Sequence, residues 1–197
     1  MSALTSLIEP PSAPLLKRWS RAQYERAVAA GIFGPEERLE LIDGVIIYKM
    51  PQNPPHMKAT QKGRQTLERA FGDGFFVLCQ APVMLSNDGV PEPDLAVILS
   101  DVDALDGLAT ESDVALVVEV SDTTLVFDQT IKAALYAESG IEEYWLVDIG
   151  SRTLEVRRSP RAGGYGSLQT LDEADSVSPL AAPDALVRVA DLLPRPE

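Results

Sequence analysis

The segment Ala115-Leu116-Val117-Val118-Glu119-Val120 constrains this chain more than any other. A short, nearly continuous apolar run rich in valine reads as a central β-strand covered on both faces, and such a strand needs a layer of structure on either side of it. Glu119 interrupts the run. A carboxylate inside an apolar strand is costly unless it is paired, hydrogen-bonded or bound to a cation. Two explanations stand at this point: a metal ligand, or a buried glutamate satisfied by a neighbour such as an arginine.

The flanking sequence supplies the layers. Ser20 with Gln23 three positions on fits a capping box, which starts a helix over 21–30 that Gly31 ends. Leu39–Ile42, Asp43-Gly44 and Val45–Tyr48 form a hairpin pattern, because Asp-Gly provides the positive φ angles of a tight turn. A second helix is expected over 55–71, strands over Phe75–Leu85 and Asp94–Leu99, a third helix over 125–139 closed by Gly140, and strands at Tyr144–Val147 and Leu154–Val156. Gly163-Gly164 marks a turn before a weak strand near Leu168. Hairpins beside crossover helices predict an α/β fold with a mixed central β-sheet flanked by helices. Residues 1–18, rich in Pro and Ser up to residue 16, are expected to be a mobile arm, with a single domain over 19–197.

Composition limits the chemistry. Cys79 is the sole cysteine and His56 the sole histidine, so thiolate-built zinc sites and histidine-rich metal sites are excluded. A metal here must rely on oxygen ligands. Asp94, opening a strand after Pro93, is the natural companion of Glu119, and two carboxylates with the backbone carbonyl of Val120 make an oxygen set of the kind Mg²⁺ prefers. Lys132 lies on the third helix beside Ile131 and Leu135, so its stem runs near the apolar stripe and its ammonium is a candidate to orient water or offset developing charge. Lys58, Lys62 and Arg69 share one face of the second helix and are candidates for contact with phosphates.

The net charge of −13 opposes that last idea, since duplex DNA is held mainly by neutralising phosphates. The imbalance is uneven: residues 1–100 carry 10 basic and 11 acidic side chains, residues 101–197 carry 7 and 19. A phosphate-facing surface would have to come from the first half. No apolar run approaches the roughly 20 residues of a membrane span, and a cytoplasmic protein with no membrane partner is expected.

The series Pro93-Asp94, Val118-Glu119-Val120-Ser121, Asp128, Lys132, Tyr136 and Tyr144-Trp145-Leu146-Val147-Asp148 resembles the Uma-two family, restriction-endonuclease-like proteins of the PD-(D/E)XK nuclease superfamily. Arg38–Gly44 and His56 upstream, and Val189–Leu193 downstream, extend the resemblance over roughly 19–193. It implies a PD-(D/E)XK core, a Mg²⁺ cofactor that Mn²⁺ can replace, DNA as substrate and partner, and Asp94, Glu119 and Lys132 as the catalytic centre. It leaves a homodimer open. It also promotes Glu40, otherwise an ordinary hairpin residue, to a role in holding a second metal or water, and His56 to substrate positioning. Ser121 stands where the superfamily's E-x-K motif has lysine; in the Uma-two pattern a helical lysine, matched by Lys132, takes that part, and Ser121 is left as a substrate-side residue. The alternatives are a non-catalytic interaction protein that keeps the nuclease fold, and a phosphoesterase acting on a small nucleotide.

Overall fold

The expected central strand is present as the longest fully buried one, and the rest of the molecule is arranged around it. The computed structural model describes residues 17–34, 36–99 and 105–195. The strand is β7, Val114–Ser121, every residue of which is buried. It lies within a six-stranded sheet of order β10-β9-β8-β7-β5-β3, built from β3 (Phe76–Cys79), β5 (Leu95–Ile98), β8 (Glu143–Asp148), β9 (Thr153–Arg161) and β10 (Gly164–Asp172). Only β7 and β8 run parallel, and the helical stretch 125–138, here α3, joins them; the remaining pairs are antiparallel, so the sheet is mixed.

Alternation along the strands assigns the two faces. Leu116, Val118 and Val120 of β7, with Leu95 and Val97 of β5, face α2 (Pro54–Phe71) and the carboxy-terminal segment through Leu67, Phe71, Val187, Val189 and Leu193. Val117, with Ala96 and Ile98, faces α3 and the hairpin over 39–48 through Ile131, Leu135, Tyr136 and Ile42. Glu119 has the parity of Val117 and therefore looks toward α3. The helix α2 sits close on the sheet because Gly63 has no side chain: a Cβ there would come within 2.9 Å of Leu95 Cδ1.

The hairpin is as expected: β1 (Leu39–Ile42) pairs antiparallel with β2 (Val45–Tyr48), and Asp43 and Gly44 take φ of 49° and 74°. The first helix, α1 (Arg21–Ala29), has the full Ser20–Gln23 capping box. Of the arm expected over 1–18, residues 1–16 lie outside the described residues; Arg18 forms an ion pair with Asp43 at 2.9 Å. No helix among the described residues is long and apolar enough to cross a membrane.

Three elements differ from the sequence reading. The strand expected over Phe75–Leu85 is broken into β3 and β4 (Val83–Met84), because Gln80 turns to φ 50° and Pro82 cannot donate to a ladder. β4 instead pairs in parallel with β6 (Ala109–Thr110). The weak strand near Leu168 is a nine-residue strand in a long hairpin with β9; its solvent-exposed middle carries no apolar alternation to reveal it. Pro160 is accommodated in β9 because β8 pairing ends at Arg158. Finally, α3 is continuous but contains a π-helical turn, Asp128–Lys132, between α-helical Leu125–Phe127 and Ala133–Glu138. Two short strands, β11 (Ser176–Val177) and β12 (Val187–Arg188), close the carboxy-terminal part.

Candidate active site

The β5–β7 register aligns Leu95 with Val118, so the next positions, Asp94 and Glu119, lie directly opposite one another on the face toward α3. Like charges in that relation repel and need compensation. The compensation is asymmetric within each carboxylate. Asp94 Oδ2 accepts from the Val120 amide at 2.9 Å and lies 3.1 Å from His56 Nε2, whereas Asp94 Oδ1 is buried without any hydrogen-bond partner. Glu119 Oε1 accepts from Lys132 Nζ at 2.8 Å and Tyr136 OH at 2.7 Å, whereas Oε2 meets only the Asp94 amide at 3.4 Å. Each side chain has one oxygen committed and one in reserve.

Both helices are built to deliver their residues here. Asn53 caps α2 by accepting from the His56 amide at 3.0 Å, and Pro54 and Pro55 fill the first turn, where a missing N–H costs nothing. That fixes His56 over Asp94. In α3 the π turn widens the spacing so that the Ala133 amide bonds back to the Asp128 carbonyl, and both Asp128 and Lys132 end up buried facing β7. Thr124 donates to Asp128 Oδ2 at 2.6 Å, and Tyr144 donates to its main-chain carbonyl at 3.1 Å.

The hairpin contributes the third wall. Glu40 is only 2% exposed; its Oε1 accepts from the Glu92 amide at 2.9 Å, with Lys132 Nζ at 3.5 Å and Lys49 Nζ at 3.8 Å. Lys49 was not among the sequence candidates, although a signal existed. Glu40 faces Ile47 across the hairpin, so Lys49, two residues on, is its diagonal neighbour on the same face. Ser121 is fully buried and shares the Thr124–Asp128 network, with Oγ 3.4 Å from Thr124 Oγ1; burial raises the Asp128 pKa, and the Lys132 charge with the hydrogen bonds of Thr124 and Ser121 opposes that rise. Lys132 thus reaches from the helix toward the glutamate that the E-x-K lysine would serve from the strand.

These groups surround a cavity of about 270 Å³ lined by Glu40, Lys49, His56, Asp94, Glu119 and Lys132 on its polar side, with Ile47, Tyr48, Met50 and Phe127 among its apolar lining. Burial pushes the Glu119 pKa up to about 7; Lys132 opposes the rise, while Asp94, Asp128 and Glu40 add to it. Lys132 is shifted the other way to what its burial would cause: the charges of Glu119, Glu40 and Asp128 raise its pKa, so it stays an ammonium. Burial would raise Asp94 too, but the hydrogen bond and charge of His56, the Val120 amide and Lys49 hold it below its ordinary value. For His56, burial favours the neutral ring, yet Asp94, Glu119 and a main-chain hydrogen bond at Val120 raise its pKa.

Asp94, Glu119, Lys132, Glu40, His56 and the Val120 main chain are therefore brought together. Lys58, Lys62 and Arg69 do not line the cavity. Lys58 is exposed on α2, and Lys62 donates to the carbonyls of Ala190 and Leu193. Arg69 donates to Thr66 Oγ1 at 3.3 Å, and Thr66 in turn donates to Asp191 O at 3.1 Å. This part of the basic face is engaged with the carboxy-terminal segment.

The donor set fits a hard divalent cation. Among the described residues no three His, Cys, Asp or Glu side chains converge as a metal cluster by themselves. A cation here would draw on Asp94, Glu119, the Val120 carbonyl and water, which is the incomplete, water-rich shell Mg²⁺ accepts. The orphaned Asp94 Oδ1 is the observation in favour: a buried carboxylate oxygen without a partner carries a desolvation penalty that a cation would relieve.

No curated protein matches the chain. Among solved structures it is similar to one described as a putative nuclease belonging to DUF820 from Anabaena variabilis, with 16% sequence identity and a TM-score of 0.68 over 91% of this chain and 97% of that one. At that identity the likeness concerns the fold, which is restriction-endonuclease-like. The family model described as Uma2, putative restriction endonuclease, matches residues 21–190. That span includes every strand and helix lining the cavity, and the chain belongs to the Uma2 family.

Proposed function

We propose that this protein is a Mg²⁺-dependent endonuclease that hydrolyses phosphodiester bonds of DNA, with Mn²⁺ able to substitute. The observation that carries the reading is the pair of opposed, buried carboxylates, each with one oxygen in reserve, beside a lysine held charged. Asp94, Glu119 and the Val120 carbonyl would hold the cation, which would supply Lewis acidity at the scissile phosphate. In the reaction, water adds to phosphorus as the bond to the leaving oxygen breaks, and that oxygen ends protonated.

The chain's own groups divide the remaining work. Lys132, charged throughout the physiological range, acts by charge and hydrogen bonding to place the attacking water and offset charge on the phosphoryl oxygens, not as a base. Tyr136 fixes the Glu119 carboxylate, His56 fixes Asp94, and Glu40 holds the two lysines in register while orienting water on the hairpin side.

The test is cleavage of DNA with and without Mg²⁺ or Mn²⁺ by the parent protein and by Glu119→Gln, which keeps the shape and loses the charge. Loss of cleavage by about 10²-fold or more is expected; unchanged activity in Glu119→Gln would remove this residue from the mechanism. The net charge of −13 favours a second reading, a phosphoesterase acting on a small nucleotide, because a small substrate needs few cations to hold it. Hydrolysis of nucleotides without cleavage of DNA under the same conditions would select it.

A further inference from the structure

We propose that the site takes an unpaired strand, a single strand or a frayed or flapped end, and not intact duplex; the inference rests on the nuclease reading and names its substrate. The first observation is the state of the cations. Lys49 and Lys132 are the two lysines lining the cavity, and both are already committed: Lys132 to Glu119 and Glu40, Lys49 to Glu40, Glu92 and the Glu92 carbonyl. They face four carboxylates in the same lining, Glu40, Asp94, Glu119 and Asp128. A duplex carries two phosphates per base pair and is held by neutralising many of them, and this lining has no uncommitted lysine or arginine to do so.

The second observation is the mouth. Tyr48 and Met50 line the cavity and remain 69% and 59% exposed, and Ile47 and Phe127 continue the apolar surface inward beside the carboxylates. Tyr48 is held in place: its hydroxyl donates to Glu37 Oε1 at 2.9 Å, and the Glu37 Oε2 atom accepts from the Gly34 amide at 2.6 Å. A fixed, exposed aromatic ring beside a thioether is the surface on which an unstacked base rests, and it accepts any base because each has a π face. Bases inside a duplex have no free face to offer. The cavity, about 270 Å³, is at the small end of ligand sites and matches one nucleotide unit better than a double helix. Apolar stacking replaces phosphate neutralisation as the source of affinity, which is how a chain of net charge −13 can hold a polyanion.

Fluorescence anisotropy in Ca²⁺ and cleavage in Mg²⁺ would be measured on a short single-stranded DNA, the blunt duplex of the same sequence, and that duplex with an unpaired flap. Single strand and flap are expected to bind and be cut at least about tenfold better than the blunt duplex, with a shallow salt slope because few phosphates are neutralised. Tyr48→Ala should weaken single-strand binding about tenfold, Tyr48→Phe should retain most of it, and Leu168→Ala, on the distant β9–β10 hairpin, should bind as the parent does. Tyr48 is exposed, so loss of folding does not confound the variant. Blunt duplex bound or cut as well as single strand, or Tyr48→Ala binding single strand like the parent, overturns the inference while the nuclease reading stands. Failure to cut any of the three substrates with Mg²⁺ or with Mn²⁺ overturns both.

Discussion

Glu119 and Glu143 are both buried glutamates on adjacent strands of one sheet, yet they are treated in opposite ways. Glu143, with no exposure at all, accepts from Trp145 Nε1 at 2.9 Å, Arg158 Nε at 2.8 Å and the Leu180 amide at 2.7 Å. Both oxygens are filled, by one cation and two neutral donors. Glu119, 3% exposed, shares its lysine with Glu40, opposes Asp94, lies in the field of Asp128, and keeps an oxygen in reserve. A buried charge that serves the fold is neutralised one for one with its lone pairs satisfied. A buried carboxylate crowded by others keeps its proton to higher pH, a pattern that clusters where sites do chemistry.

The largest expected effect separates the two by stability. Glu143→Ala leaves the Arg158 guanidinium, the Trp145 N–H and the Leu180 amide unpaired around a cavity, and should cost about 3 kcal/mol in urea unfolding. Glu119→Gln at pH 8 should stay within about 1 kcal/mol of the parent or exceed it, because it relieves repulsion from Asp94, Asp128 and Glu40. The reverse ranking would break the comparison.

A smaller effect should appear in the pH dependence, measured with chelator present. Glu119 has a folded-state pKa of about 7 against an ordinary 4.5, so the folded state holds its proton more tightly and stability falls as pH rises from about 4.5 to about 7. His56, raised from 6.5, acts in the same direction: its contribution is complete below 6.5 and is lost as pH rises through its higher folded-state value. Asp94, lowered from 3.8, contributes above that value and is lost on further acidification. Between pH 5 and 8 the parent should lose about 2 kcal/mol, and Glu119→Gln should flatten much of that slope, as the urea midpoint would show. A slope unchanged by Glu119→Gln would mean that the proton occupancy of Glu119 does not differ between the folded and unfolded states across this range.

The smallest effect sharpens the comparison on the other face of the sheet, where cations serve the fold. Lys62→Gln should lower stability by about 1 kcal/mol or less, by loosening the carbonyls of Ala190 and Leu193, and leave the salt dependence of DNA binding as it is in the parent. A flatter salt slope in this variant would return the α2 face to the nucleic-acid interface.

Local signals account for what could be read in the amino-acid sequence. The Asp43-Gly44 turn fixes its own hairpin register, the capping residues Ser20 and Asn53 start α1 and α2, and an apolar run of six residues leaves little choice but a central strand for Glu119. The resemblance to the Uma2 pattern added Glu40 and strengthened Lys132, whose full burial neither spacing nor composition reveals. Lys49 was recoverable in principle from the hairpin register, whereas the contacts of Lys62 with the Ala190 and Leu193 carbonyls were not, because helical spacing shows which residues share a face and not what that face meets.

The sequence by itself determined the strand that carries Glu119, the turn that places Glu40, and the caps that aim His56, because each depends on residues within a few positions of one another. The tertiary structure decided which buried glutamate is saturated and which is not. Arg158 and Leu180 reach Glu143 from 15 and 37 positions away, while Glu40, Asp94, Glu119 and Lys132 meet from four separate elements. Electrostatic environment is set by distance in space, and a carboxylate carries no mark in the chain of how many others will be packed beside it.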